Sequence, residues 1–264
     1  MTDEDTTALK PSKAFGPYVY GSGVMAIGAL SLAWADFVTG QTVPASLPGR
    51  PLFVYAAGAF LLISGAAVAF RRTAAIAAAA IIAYFMVVVM IVMDGAELVA
   101  NWSVYGEYES AAEQFAIAAA ALIVFAANAN IDAALAARLK RIGRIVFGIC
   151  AIVFGGAHFA YLNLTVPLVP KWLPPSQLFW AYATGVFHIA AGLAIVIGLQ
   201  ARRAAILLTV MYASFQPLVH IPMLIADPSS HFLWGENALN LALTGAAWVM
   251  ADSLAKRDAP VIAG

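Results

Sequence analysis

Eight stretches of uncharged, mostly apolar residues divide this sequence, and the first of them runs from Ala14 to Ala35. At 1.5 Å per residue, a helix of about 20 residues crosses the roughly 30 Å hydrocarbon core of a bilayer. With loop ends trimmed, the stretches predict helices near residues 17–37, 52–70, 73–93, 112–130, 144–163, 178–199, 204–226 and 236–254. We therefore expect an all-α, polytopic membrane helical bundle with eight transmembrane helices.

The composition supports a membrane protein and excludes several other classes. Hydrophobic residues make up 63% of the chain and charged residues 11%, whereas soluble domains carry roughly a quarter charged residues. Cys150 is the single cysteine, which excludes an intrachain disulfide and a CxxC redox pair. The sequence also lacks a phosphate-binding loop and a nucleophile elbow. We expect the lipid bilayer as a partner and no nucleic acid.

The basic residues predict the orientation of the eight helices. Cytoplasmic loops of membrane proteins carry an excess of Lys and Arg. With eight helices, one side holds only Arg50 and Lys171. The other side collects Lys10, Lys13, Arg71, Arg72, Arg138, Lys140, Arg141, Arg144, Arg202, Arg203, Lys256 and Arg257. This asymmetry predicts that both the N and C termini are cytoplasmic.

The two halves of the chain resemble each other, which predicts an internal repeat. Trp34-Ala-Asp36-Phe37 corresponds to Gly156-Ala-His158-Phe159, and Tyr55-Ala-Ala-Gly58 corresponds to Tyr182-Ala-Thr-Gly185. Because each unit contains an even number of helices, the repeats are expected to be parallel. The expected organisation is a disordered cytoplasmic tail (1–13), a first four-helix repeat (14–130), a cytoplasmic linker (131–143), a second four-helix repeat (144–254) and a C-terminal tail (255–264).

The second half also resembles the DoxX-like membrane family over residues 144–210. The residues that carry the resemblance are Arg144, Gly148, Gly156, His158, Phe159, the segment Val169–Pro175, Gly185, Gly192, Leu193 and Arg203. The chain departs from the family pattern at His188, where a Glu is common. The resemblance implies a four-helix unit, present here twice, in a bacterial inner membrane. No cleaved signal peptide is expected, because the first apolar segment has an internal counterpart that cannot be a signal. The resemblance also implies a role in a membrane redox system, since some members resemble subunits of thiosulfate:quinone oxidoreductases.

Three histidines are the candidate catalytic residues: His158, His188 and His220. By helical rise, His158 and His220 lie roughly 21 Å and 24 Å from the cytoplasmic edge. His188 lies roughly 15 Å below the outer face. Ionisable side chains at such depths are costly and usually face the bundle interior. The functional interpretation is a pocket opening to the outside; the structural one is hydrogen bonding between helices or to carbonyls freed by proline.

Other polar and aromatic residues near this level are candidates for substrate binding. They are Trp172, Trp180, Gln216, Glu236 and Asn240. The pocket would hold a quinone headgroup or a His-ligated metal or haem, since imidazole suits zinc, copper and iron. His231 is expected to be a solvated residue of the outer loop. The proline-rich segment Val166–Gln177 is expected to lie on the outer leaflet, with a lid over the pocket as the alternative.

The leading functional hypothesis is an integral membrane component of a redox system, linked to quinone and to a soluble redox partner protein. Two alternatives remain: a transporter or channel for a small solute or metal ion, and a non-catalytic anchor for a soluble enzyme. Transport would need a polar path through both leaflets, while the inner halves of these helices are nearly all Ala, Val, Ile, Leu and Phe.

Overall fold

The computed structural model describes residues 14–38, 40–41, 43 and 47–255. Their regular secondary structure is helical throughout, which confirms the predicted all-α class. The long helices are α1 (Gly16–Trp34), α2 (Arg50–Val68), α3 (Ala74–Met93), α4 (Tyr105–Asn128), α5 (Ala133–Ala160), α6 (Gln177–Ile197), α7 (Ala201–Ala226) and α8 (His231–Ser253). The two expected tails, with Lys10, Lys13, Lys256 and Arg257, lie outside the described residues except for Ala255.

Two helices begin earlier than the apolar runs predict. Helix α4 starts at Tyr105 instead of near 112, and α5 starts at Ala133 instead of near 144. Asp132 caps α5 because its carboxylate accepts a hydrogen bond of 2.9 Å from the backbone N–H of Leu135. The segment 131–143, expected to be a linker, is therefore mostly the first part of a long helix.

Among the described residues, six helices are long and apolar enough to cross a membrane: α2, α3, α4, α5, α6 and α7. Their outward faces carry large apolar side chains that would be unfavourable in water. Leu52 and Ile63 of α2, Ile76 of α3 and Ile225 of α7 are exposed by 76%, 68%, 77% and 77%. Such faces are suited to lipid rather than water.

Helices α1 and α8 pack closely against each other. Tyr20 of α1 lies over Gly245 of α8, and Gly23 of α1 lies over Ala242 of α8. Helix α8 also contacts α4 and α7, and α4 also contacts α3 and α5. The fourth helix of each half thus lies at the centre, and the first helix of each half packs on the fourth helix of the other.

The first two helices of each half approach closely through paired glycines. In the first half, a Cβ at Gly65 would lie 2.7 Å from the Gly21 carbonyl oxygen, and Gly28 faces Gly58 in the same way. In the second half, Gly192 faces Gly148 and Gly185 faces Gly155. Small residues at such crossings let membrane helices pack backbone to backbone.

These glycine contacts agree with the predicted match of Tyr55–Gly58 with Tyr182–Gly185 and correct the other predicted match between the halves. Each glycine of the first set maps onto the second with one constant spacing, so that Gly28 corresponds to Gly155 and Gly58 to Gly185. On that register His158 corresponds to Ser31, and the predicted match of Asp36 with His158 is wrong. The short motif around Asp36 misleads because it lies beyond the end of α1 at Trp34, whereas His158 lies within α5.

The third helix of each half widens into a π-helix, over Tyr84–Met93 in α3 and over Gln216–His220 in α7. In α7 the widened turn contains Pro217, which has no backbone N–H to donate, and it follows the turn that carries the Tyr212 carbonyl. The side-chain amide of Asn240 in α8 donates to that carbonyl oxygen at 3.0 Å. The irregular turn is thereby joined to the central helix.

Candidate functional site

His158 of α5 and His188 of α6 meet in the interior of the second half. Their ring centroids lie 5.1 Å apart, and His188 is 2% exposed. The glycine crossing allows this closeness. Any side chain at Gly185 would collide with His158, since an added Cβ would lie 2.8 Å from the His158 Cβ, and Gly155 faces the His188 Cβ in the same way. The sequence prediction that these two histidines share one level is consistent with this geometry.

Thr184 connects the two rings through its backbone and its side chain. The His188 Nδ1 lies 2.8 Å from the Thr184 carbonyl oxygen, which can only accept, so Nδ1 carries the proton of a neutral ring. The Thr184 hydroxyl donates to the Trp180 carbonyl at 2.7 Å and lies 3.2 Å from the His158 Nδ1. With its own proton directed to Trp180, this hydroxyl accepts from His158. The Nε2 atoms are then the hydrogen-bond acceptors of both neutral rings.

Aromatic residues of α5 and α7 form the wall around His188. Its ring centroid lies 5.4 Å from that of Tyr212, 6.3 Å from that of Phe154 and 6.4 Å from that of Phe215. The Tyr212 hydroxyl is buried without a hydrogen-bond partner. An unpaired buried hydroxyl costs about 1–3 kcal/mol, so this position is suited to a bound polar atom.

Thr184 and Tyr212 are site residues that the sequence analysis does not identify. Thr184 has a usable signal, since it precedes His188 by one helical turn and so lies on the same face. Tyr212 has no such sequence signal, because only the packing of α7 on α6 brings it close to the histidines.

The third candidate, His220, does not join this pair. It lies in the π-helical turn of α7, and no ring contact or hydrogen bond in the described part of the chain links it to His158 or His188. Within the same described residues, no three His, Cys, Asp or Glu side chains are grouped as ligands for a metal ion. Of the three histidines expected in one site, the structure therefore brings together only His158 and His188.

Gln216 and Asn240 connect α7 and α8. The side-chain amide of Gln216 donates to the Asn237 carbonyl at 3.2 Å, as Asn240 does to that of Tyr212. Both amides satisfy backbone groups across a helix interface, which is the structural alternative for polar residues in membrane helices. Asn240 nevertheless positions Tyr212, and so affects the site indirectly.

Of the two candidate tryptophans, Trp172 lies in the proline-rich connection before α6 and Trp180 lies in the first turn of α6. Trp172 is 71% exposed, whereas the indole N–H of Trp180 donates to the Pro174 carbonyl at 2.8 Å. Gln177 donates to the Val169 carbonyl at 2.6 Å. The connection is thus held against the start of α6 by side chains of that helix.

A groove of about 560 Å³ opens beside this connection. Phe159 lines the groove and also packs on Gly185 next to His158. The remaining lining is mostly apolar: Ala160, Leu162, Asn163, Val166, Pro167 and Leu178. The histidine pair therefore lies behind one wall of an open, largely apolar groove.

Glu236 belongs to a group of acidic side chains contributed by α4 and α8. Its carboxylate is close enough to those of Glu109 and Glu113 in α4 to interact electrostatically with both. Helices α4 and α8 are in contact, so these carboxylates mark the junction of the two halves. Glu236 is thus grouped with acidic residues.

The outer connection of the first half is held by an ion pair. Arg50 donates to the Asp36 carboxylate and lies over the ring of Phe37 at 5.6 Å. Partial burial raises the pKa of Asp36, but hydrogen bonds from Arg50 and from the Phe37 backbone outweigh it, so the pKa lies below its usual value. His231, expected to be solvated, stacks on Trp34 with ring centroids 5.3 Å apart.

Comparison with known proteins gives a match to part of this chain. Residues 147–251 match the model of a domain of unknown function, DUF8561. No curated protein and no solved structure matches the chain. The matched region contains His158, His188, Thr184 and Tyr212, and the resemblance to the DoxX-like family stays a prediction.

Proposed function

We propose that the protein crosses a bacterial inner membrane eight times, with both termini in the cytoplasm. Six helices are apolar and long enough to do so. Helices α1 and α8, with 19 and 23 residues, would be about 28 Å and 34 Å long. Their packing on each other and the strong excess of basic residues on one side support the same arrangement.

We infer that the second half binds a quinone near the outer leaflet, and that the protein is the membrane component of a redox system. The observation that carries this proposal is the pair of adjoining histidines beside the unpaired Tyr212 hydroxyl, behind an apolar groove. Ligand sites are commonly apolar clefts with a few well-placed polar groups. A quinone matches this combination, because a flat apolar ring carries two carbonyl oxygens.

The chemistry assigns a separate task to each side chain. Reduction of a quinone to a quinol takes up two electrons and two protons; the reverse reaction releases them. The electrons would pass to or from a redox partner protein. The acceptor Nε2 of His158 would take a proton from a quinol hydroxyl, and Tyr212 would donate its hydroxyl proton to a ligand oxygen or to His188. Thr184 holds both rings in the required tautomer.

Quinone binding by the purified protein tests this proposal. Short-chain ubiquinone and menaquinone would be titrated into the detergent-solubilised protein and binding followed by quenching of tryptophan fluorescence. We expect His158→Ala, His188→Ala and Tyr212→Phe each to weaken binding about tenfold, the cost of one hydrogen bond. His231→Ala is the matched control and should bind as the unmodified protein does.

Tyr212→Phe separates a binding role from a structural one. Because its hydroxyl has no protein partner, this variant should unfold at the same temperature as the unmodified protein or slightly higher. Equal quinone affinity in all three site variants would contradict the proposal. A His220→Ala variant that alone loses binding would contradict the location of the site.

A further inference from the structure

The connection between α1 and α2 reaches into the interior of the first half at Gly40 and Gln41. Gln41 is 5% exposed, and its side-chain oxygen accepts a hydrogen bond of 2.9 Å from the hydroxyl of Tyr84 in α3. Gly40 has a φ of +76° and lies against side chains of α4. The connection is therefore joined to α3 through Gln41 and places Gly40 beside α4.

Three polar side chains of α4 converge on Gly40. A Cβ added there would lie 2.6 Å from the Gln114 amide nitrogen, 3.1 Å from the Ser110 hydroxyl oxygen and 3.7 Å from a carboxylate oxygen of Glu113. Residues three and four positions apart lie on one helix face, so Ser110 is next to both of the others. Because Gly40 has no side chain, all three polar groups can approach this one point of the connection.

Gln114 gives independent evidence that a bound species belongs at this point. Its side chain is 0% exposed, and neither its oxygen nor its nitrogen has a hydrogen-bond partner among the residues that the structure describes. An amide group offers two N–H donors and one carbonyl oxygen. Buried polar groups of folded proteins nearly always have partners, in the protein or in a bound water or ion. The Gln114 amide therefore indicates an occupant beside Gly40.

The charge around Glu113 indicates the sign of this occupant. Within the described part of the chain, the charged groups that act on Glu113 are Glu236 and Glu109, and both are acidic. A water molecule would pair with the Gln114 amide but would not offset the negative charge at Glu113. Ionisable residues at membrane depth often mark ion sites. The occupant is therefore expected to carry a positive charge.

The ligand atoms indicate the kind of cation. A carboxylate, a hydroxyl and an amide carbonyl supply oxygen ligands, which suit hard cations rather than zinc or copper. Among the described residues, no three His, Cys, Asp or Glu side chains are grouped to hold a metal ion. A divalent ion would therefore have too few carboxylates here, whereas one carboxylate matches one positive charge. The convergence of three groups on a single residue suits one ion rather than an organic ammonium group.

We propose that Glu113, Gln114 and Ser110 bind a monovalent metal cation beside Gly40, with the Glu113 carboxylate as its counter-charge. Glu113 lies about two turns from the start of α4 at Tyr105. In the membrane arrangement proposed above, the site therefore lies near the outer surface. It is separate from the histidine pair, and the proposal does not depend on quinone binding.

Cation binding to the purified full-length protein tests this site. Equilibrium binding of radioactive Na⁺, and of Rb⁺ in place of K⁺, would be measured in detergent at constant pH, with choline chloride keeping the ionic strength constant. We expect saturable binding of one ion per chain, weakened about tenfold or more by each of Glu113→Gln and Gln114→Leu. Glu107→Gln is the matched control, because Glu107 lies on the same helix but is not among the charged groups that act on Glu113.

Thermal unfolding distinguishes an ion ligand from a structural residue. Since Gln114→Leu removes a buried amide that lacks a partner in the described residues, this variant should unfold in choline chloride at the same temperature as the unmodified protein or higher. It should also lose the rise in unfolding temperature that the bound cation gives the unmodified protein. Gln114→Leu thus remains informative even where Glu113→Gln fails to fold.

Three outcomes would overturn the proposal. They are no saturable binding of either ion, an equal loss of binding in Glu107→Gln, and uptake of a proton at Glu113 without any binding of a metal cation. Loss of quinone binding with intact cation binding would reject the proposed redox function alone.

Discussion

The first two helices of each half have the same scaffold and different interiors. Both pairs cross through glycines at equivalent positions. At this crossing the second half carries His158, Thr184 and His188, and the first half carries Ser31, Ala57 and Leu61. The duplicated part is thus the backbone packing, while the two histidines and Thr184 occur in the second half only.

This difference has a clear energetic basis. Buried polar groups are destabilising unless they are hydrogen-bonded. Thr184 provides a hydroxyl and a carbonyl to the two histidines. In the first half, Ala57 has no side-chain hydroxyl to offer, and Leu61 fills the position fully buried. The two histidines therefore occur in the half in which Thr184 offers them partners, whereas the smaller hydroxyl of Ser31 in the first half is buried without a partner.

Exchanging the interior residues should have the largest effect. The double variant His158→Ser/His188→Leu gives the second half the residues of the first. We expect quinone binding to disappear, while the free energy of unfolding changes by less than about 1.5 kcal/mol, since the volume at position 188 is largely kept. Fluorescence quenching and thermal unfolding measure the two quantities.

The reverse exchange, Ser31→His/Leu61→His, is the matched control. It should destabilise the protein by about 1–3 kcal/mol, because a histidine at position 31 lacks the hydroxyl that Thr184 supplies to His158, although one at position 61 can still donate to the Ala57 carbonyl. A stable reverse variant that binds quinone would show that the scaffold alone is sufficient and would contradict the role given to Thr184.

Substitution of the shared glycines should have an intermediate effect, equal in both halves. Gly65→Ala would place a Cβ 2.7 Å from the Met25 backbone nitrogen, and Gly192→Ala 3.0 Å from that of Ile152. Because backbone atoms move only with their helices, we expect each variant to lose about 1–3 kcal/mol of stability. Thermal unfolding in detergent compares them. A loss in one variant only would contradict the equivalence of the two crossings.

Substitutions in the connections between the first and second helices of each half should have the smallest effects on stability. Trp180→Phe removes one hydrogen bond to Pro174 and should cost about 1 kcal/mol. Asp36→Asn removes an exposed ion pair with Arg50 and should cost about 0.2–1 kcal/mol at neutral pH.

The pH dependence checks the ion pair at Asp36. Because the folded-state pKa of Asp36 is lowered, its contribution is present above the unfolded pKa of about 3.9 and is lost as the pH falls through the folded value. Thermal unfolding at neutral and acidic pH should show a slightly smaller acid-induced loss in Asp36→Asn. The same loss in both proteins would contradict the role of this pair.

The sequence predicts the helical class and most helix positions because long apolar runs are a local signal. Helix α5 begins earlier than expected because Asp132 caps it, and α4 begins earlier because its first turn is polar and includes Glu107. The alignment of Asp36 with His158 fails because it depends on a short motif beyond the end of α1. A short motif at a helix end carries less information than glycine spacing along a whole interface.

The sequence by itself determined an all-helical protein with apolar helices, because lipid as a solvent requires continuous apolar runs and internally bonded backbone. It also identified His158 and His188, because buried histidines in such runs are rare. Only the tertiary structure decided that Thr184 and Tyr212 join them, that His220 does not, and that Gln216 and Asn240 link α7 to α8. These relations depend on which helix faces meet, and that is set by the glycine crossings and the π-helical turn of α7.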